Sequence, residues 1–169
     1  MAAPLFPANA HRYDPYRVFK FQVLIDGKPV AGLRKVSALI KRTEVVEWRT
    51  GNDPSHVRKI PGQTRYDPII LEQGLTHDPV FEKWANLVNN LDGDSAMSLK
   101  NFRKDIVINV LNLQGQVAIS YHVHRAWVAE YQALPELDAG ANETVGIQYI
   151  KLEHEGWERD ESVAEPTES

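Results

Sequence analysis

The sequence predicts a mostly β fold, two packed antiparallel sheets forming a sandwich or barrel, with one flanking α-helix. Three observations carry this. Several short runs alternate apolar and polar residues with period two, as half-buried strands do. Only one stretch repeats its apolar residues at helical spacing. Turn signals punctuate the chain at strand-length intervals, the pattern of a sandwich or barrel and not of alternating strands and helices. The chain has 169 residues, and one domain spans about 100–200 residues, so a single domain with an arm or tail is the expectation.

Residues 1–15 carry Pro4, Pro7 and Pro15 and no periodicity, and read as an irregular N-terminal arm. Phe19, Phe21, Val23 and Ile25 then alternate with Val18, Lys20, Gln22 and Leu24 as a first strand. Asp26-Gly27 marks a tight hairpin turn. Residues 30–40, with Val30, Leu33, Val36, Leu39 and Ile40, read as a second strand, and Arg42 to Thr50 as a third, broken by Gly51-Asn52-Asp53-Pro54. Residues 51–65 form a long polar connection with a basic middle of His56, Arg58, Lys59 and Arg65. Connections in compact domains have a median of about 4–6 residues, so an insertion of this size reads as an extended hairpin reaching a partner.

Residues 66–73 read as a further strand, with Pro68 near its start. Thr76-His77-Asp78-Pro79 starts a helix over about 79–91, with Asp78 at the N-cap and Pro79 at the first helical position. Val80, Phe81, Trp84, Leu87, Val88 and Leu91 form its apolar stripe, and Gly93 is a C-terminal stop. Strands follow around Ile106, Ile108 and Val110, over 117–128, and over Thr144 to His154, where a change of phase near Tyr149 suggests a bulge. The β domain therefore spans 16–157, and residues 158–169 read as an acidic disordered tail. The tally is six or seven strands and one helix.

Composition excludes several chemistries. There is no Cys, which removes disulfides, thiolate metal sites and cysteine nucleophiles. No apolar run reaches the ~18 residues of a membrane span, and the N-terminus lacks the pattern of a secretory signal. Phosphate-loop, dinucleotide and nucleophile-elbow motifs are missing from the sequence. His122 and His124 share one face of a strand, yet no motif supplies further ligands, so they read as surface polar residues. His154 lies between Glu153 and Glu155, but strand neighbours point to opposite faces and cannot converge as an acid–base cluster. No catalytic, cofactor or metal site emerges. Two readings compete with a structural protein: a small-molecule-binding β-barrel with His122, His124 and Trp127 near its pocket, and an enzyme using His154.

A series of segments runs in order through most of the chain: Asp14-Pro15-Tyr16, Phe19, Phe21, Asp26-Gly27, Gly32-Leu33 and Val36-Ser37-Ala38-Leu39. Then come Glu44-Val45-Val46-Glu47-Trp48-Arg49-Thr50-Gly51, Val57-Arg58-Lys59-Ile60-Pro61-Gly62, Gly74-Leu75-Thr76, Ala126-Trp127, Leu137-Asp138-Ala139-Gly140-Ala141-Asn142-Glu143 and His154-Glu155-Gly156. In order and spacing this resembles the tail tube protein family of contractile phages and phage-like extracellular contractile injection systems. Ala38 and Val128 depart from the family pattern, which often has Gly and Pro there. The resemblance implies a non-enzymatic inner tube subunit without cofactors. Six copies would form a ring around a lumen, and rings would stack into a tube inside a contractile sheath, with baseplate and tail-terminator proteins as partners and protein or DNA as cargo. It also implies assembly in the bacterial cytoplasm and residence in a virion tail or injection particle. A type VI secretion tube or a non-contractile tail tube is the neighbouring reading.

Within that frame the 51–65 segment becomes an assembly arm. Trp48, Arg49, Asn52, Asp53, His56, Arg58 and Lys59 are the expected inter-subunit or inter-ring contacts, and Glu44 and Glu72 the expected lumen-lining residues. The net charge of −4 disfavours a binder that works by neutralising phosphates. All of it resides in Asp160, Glu161, Glu165 and Glu168, so residues 1–159 are formally neutral, which favours self-association.

Overall fold

The computed structural model describes residues 5–52, 55–89, 91–93, 99–141 and 144–169. Its elements are β1 (Phe21–Ile25), β2 (Lys28–Pro29), β3 (Leu33–Val36), β4 (Lys41–Trp48), β5 (Arg58–Tyr66), β6 (Ile69–Gly74), α1 (Val80–Val88), β7 (Lys104–Leu111), β8 (Val117–Gln132), β9 (Ile147–Glu153) and β10 (Trp157–Arg159). The seven strands β2-β1-β7-β8-β9-β6-β3 form one hydrogen-bonded path, with β10 added on β8. A separate two-stranded sheet joins β4 and β5. All the ladders are antiparallel.

The 16-residue β8 makes the sandwich. Its first half pairs with β7 and β10, and its last residues, from Trp127, pair with β9. Arg125, between the halves, has φ 52°, a left-handed conformation that costs a non-glycine residue energy. The Arg125 N–H is held by Asp105 Oδ1 at 2.8 Å. Around this kink the β1–β7 wing and the β9–β6 wing close on each other. Val23, Ile106, Ile108 and Val123 from one wing meet Ile69, Leu71, Ile150 and Leu152 from the other in a single buried cluster. Helix α1 packs on β8 and adds Phe81 and Trp84. The Trp84 indole N–H, buried with its ring, donates to the Phe102 carbonyl at 2.8 Å.

Two departures from the sequence reading share one cause, polar residues inside the core. β9 runs in regular alternation with Gln148, Ile150 and Leu152 inward, and the bulge lies in β8, between Val128 and Glu130. Gln148 looked like an outward residue, but it is buried and donates to Gln73 Oε1 at 2.8 Å. Buried Gln73 in turn donates to the Ala31 carbonyl at 2.6 Å. Each buried amide is thus satisfied, which is the condition for burying it.

Other boundaries move. The first strand begins at Phe21, leaving Val18 and Phe19 exposed. The second expected strand, 30–40, contracts to β3, and the short β2 lies ahead of it, paired with β1 across the tight turn that Asp26 and Gly27 supply at φ 52° and 77°. Helix α1 ends at Val88 with Asn89 as its cap. At its start Pro79 takes the cap position, and Asp78 Oδ1 accepts from the Val80 N–H at 3.2 Å.

The acidic tail is bound, not loose. Asn9 is buried and holds the tail with its amide: Nδ2 donates to the Glu165 carboxylate Oε1 at 2.7 Å and to the Pro166 carbonyl at 2.8 Å, while Oδ1 accepts from the Glu168 N–H at 2.7 Å. Arg12 pairs with Glu168 and lies over the rings of Phe6 and Tyr16, 5.0 and 4.5 Å from their centroids. Charge composition alone suggested a solvated tail. The N-terminal arm supplies partners that composition cannot show.

Candidate assembly interface

The expected assembly residues fall on the β4–β5 hairpin. Residues 51–65 are not all connection, because β5 begins at Arg58 and only 49–57 join the strands. Pro61 and Gly62, part of that expected connection, sit inside β5. The register shift between Thr43 and Val45 accommodates them, and proline is tolerated in a strand with a free edge. Gly62 has a packing reason as well: a Cβ there would lie 2.9 Å from Val46 Cγ2.

Every residue of β4 is exposed, and in β5 only Tyr66 is partly covered. The hairpin therefore stands clear of the body and is attached at its root. There the Asp67 N–H donates to the Ile40 carbonyl at 3.0 Å, and Arg42 Nε lies 3.0 Å from both Asp67 carboxylate oxygens. Tyr66 rests on the body with its ring 5.9 Å from those of His154 and Trp157. Beneath it Gly156 has φ 135°, and a Cβ there would approach Tyr66 Cε2 to 3.1 Å, so the position accepts glycine alone without strain. His154 joins body to root. Its Nδ1 accepts from the Gly156 N–H at 3.1 Å, so Nε2 carries the proton donated to the Asp67 carbonyl at 2.9 Å. A ring committed on both sides is a structural histidine.

The distal half brings several expected contacts together. Trp48 lies opposite Arg58 and Glu47 opposite Lys59 across the ladder. Trp48 is 50% exposed and Ile60 47%, an apolar ridge that the monomer leaves in water and a mark of an interaction site. Exposed Arg49, Asn52 and His56 lie in the connection just beyond it. Asp53 falls outside the described residues. Glu44 and Glu72 are not brought together: Glu44 is exposed on the hairpin, and Glu72 lies half-buried on β6, opposite Tyr149 of β9 and on the face away from the core.

Elsewhere the polar clusters are internal. His122 Nε2 lies 3.0 Å from Asp160 Oδ2, and His124 Nε2 lies 2.9 Å from Glu158 Oε1. Hydrogen bonds from Ser162 and from His122 hold the Asp160 carboxyl down at about 2. Among the described residues no group of His, Cys, Asp and Glu is arranged to hold a metal ion. No helix among them is long and apolar enough to cross a membrane.

The sequence model of the T4-like virus tail tube protein gp19 family matches residues 17–158. The chain belongs to that family. Solved structures repeat the fold of this tail tube protein. A chain from the cryo-EM structure of the anti-feeding prophage cap, the tube-terminating cap, is 25% identical over 88% of this chain and 93% of its own, with a TM-score of 0.73. One from the extended sheath-tube complex of the extracellular contractile injection system PVC is 23% identical over 86% and 91%, with a TM-score of 0.71. Hcp1 from Flavobacterium johnsoniae is 15% identical over 83% and 94%, with a TM-score of 0.53. No curated protein matches the sequence. The resemblance read from motif order is thus met by the family and by the fold, with two antiparallel sheets and one helix.

The sequence pointed to the hairpin but not to its root. Tyr66, Asp67, His154 and Gly156 lie far apart in the chain, and the one signal was the His154-Glu155-Gly156 segment, whose glycine proves obligatory.

Proposed function

We propose that this tail tube protein is the inner tube subunit of a contractile tail or injection system. Six copies make a ring around a lumen, rings stack into a tube within a contractile sheath, and baseplate and terminator proteins close its ends. DNA or protein is the cargo of the lumen. The observation that carries this reading, beside family membership, is the freestanding β4–β5 hairpin. An isolated two-stranded hairpin is at best marginally stable in water, and this one presents Val45, Val46, Trp48, Val57 and Ile60 to solvent. It is built to be covered by another molecule. Trp48, Arg49, Asn52, Asp53, His56, Arg58 and Lys59 serve that contact, and Glu44 and Glu72 face the lumen.

The fold neighbours support the same reading, since the solved chains come from a tube-terminating cap and a sheath-tube complex. Assembly would take place in the bacterial cytoplasm and the product would be a virion tail or injection particle. No enzymatic step is part of this function. Negative-stain imaging of the purified protein, alone and with its sheath and baseplate partners, tests it. Six-fold rings or tubes are expected, and a protein that stays a dispersed monomer in every mixture would refute it.

A further inference from the structure

The hairpin needs an acceptor, and the chain carries a surface that complements it. Beyond β8 the backbone enters an irregular loop, residues 133–141, that ends in a turn. Leu134 and Leu137 on it are 62% and 74% exposed, apolar side chains that the monomer leaves without cover. From Glu130 to Asp138 the chain holds three carboxylates, Glu130, Glu136 and Asp138, and no Lys or Arg. The loop is held in shape: the Asp138 carboxylate accepts from the Gly140 N–H at 2.9 Å, and Gln132 Nε2 donates to the Ile147 carbonyl at 3.2 Å. The distal hairpin has the opposite character. From Trp48 to Ile60 it carries Arg49, Arg58 and Lys59 against the single carboxylate of Asp53, beside exposed Trp48, Val57 and Ile60.

Their places in the fold decide how the two can meet. The root of the hairpin lies at the Leu152–His154 end of β9, through Asp67 and His154. The acidic loop joins β9 at its other end, before Ile147. Seven residues of strand at about 3.3 Å each set the two ends roughly 20 Å apart. A basic apolar projection at one end and an acidic apolar surface at the other is a head-to-tail arrangement. Such contacts do not close on one partner, and they propagate into rings or open stacks.

We propose that the distal hairpin docks on the 130–138 segment of a second copy of this chain, with Trp48 and Ile60 against Leu134 and Leu137 and Arg58, which shares their face of the ladder, against Glu136. The inference rests on the tube reading above and names the surface that receives the hairpin.

Two experiments test it on the full chain. Because the protein has no Cys, Ile60→Cys and Leu137→Cys proteins can be mixed, assembled and treated with a short bis-maleimide. A cross-linked dimer that forms only in the mixture and only on assembly is expected. The second experiment is a charge exchange. Arg58→Glu alone and Glu136→Lys alone should each lower the sedimentable tube fraction about tenfold, and the two together should restore most of it, as opposed charges across an interface do. Asp138 is left alone because it caps its own turn, and matched thermal unfolding of each variant verifies folding. Normal tubes with no cross-link, or a double variant no better than the worse single one, would overturn the acceptor and leave the tube reading standing. If wild type forms neither rings nor tubes under any condition, both fail. If Glu136→Lys stays wild-type while Arg58→Glu loses only sheath attachment, the hairpin's partner is the sheath and the proposal is wrong.

Discussion

The body and the hairpin are both antiparallel β structure made by one chain, and they are held by different means. In the body, strand periodicity is converted into burial: Ile69, Leu71, Ile106, Ile150 and Leu152 are fully removed from water. Burying such a side chain contributes about 1.5–3 kcal/mol. In β4 and β5 the same residue types lie in solvent. Their ladder runs from Lys41–Tyr66 to Trp48–Arg58 with one register shift, but the net contribution of a typical hydrogen bond is only about 0.5–1.5 kcal/mol. The body buries its apolar side chains within one chain. The hairpin is held by its root and completed by whatever it meets, which separates a chain's folding from its assembly.

That separation can be broken on purpose. The largest effect is expected in the body. Trp84→Ala would leave a cavity under α1 and strip the Phe102 carbonyl of its donor, costing about 3–5 kcal/mol, read as a lower urea midpoint. Next comes the clasp between the termini. Asn9→Ala removes three hydrogen bonds from a buried amide, and losing such partners costs about 1–3 kcal/mol. Residues 160–169 should then become sensitive to proteases while the core resists them.

On the hairpin, Ile60→Ser should change the unfolding free energy by less than about 0.5 kcal/mol, as exposed positions do. It should nevertheless abolish tube formation by sedimentation. A substitution that also melted the body would show that the two regions are not independent. The smallest effect is electrostatic. Asp160 is held at about 2, below its usual 3.8, by Ser162 and His122. A depressed carboxylate stabilises the native state above its unfolded value, and that contribution is lost as the pH falls through the folded one. The stability difference between wild type and Asp160→Asn should therefore be full above pH 4 and vanish as the pH falls to about 2.

Much of the body was legible because its signals are local. The alternation in β1 and β7, the Asp26-Gly27 turn and the helical stripe through Phe81 and Trp84 all lie within a few residues. The missed features are those whose cause is distant in sequence. Gln148 concealed the phase of β9 because its partner is Gln73. The tail looked free because its partners, Asn9 and Arg12, lie at the other end of the chain. The first part of β5 read as connection because the edge that tolerates Pro61 and Gly62 is set by β4. Of the hairpin, the basic connection and its apolar residues could be read directly. The docked Tyr66 and the His154 bridge needed a surface that only folding creates.

The clasp also has a consequence for the path of the chain. Asn9 holds Glu165 and Pro166, and Arg12 holds Glu168, so the polypeptide leaves the fold almost where it enters. The arm at Asn9 and Arg12 and the segment from Glu165 to Glu168 form one spot on the molecule. A short linker from Ser169 back to the N-terminal arm would close the chain into a loop, and the loop could be reopened in the connection at 112–116 without cutting a strand.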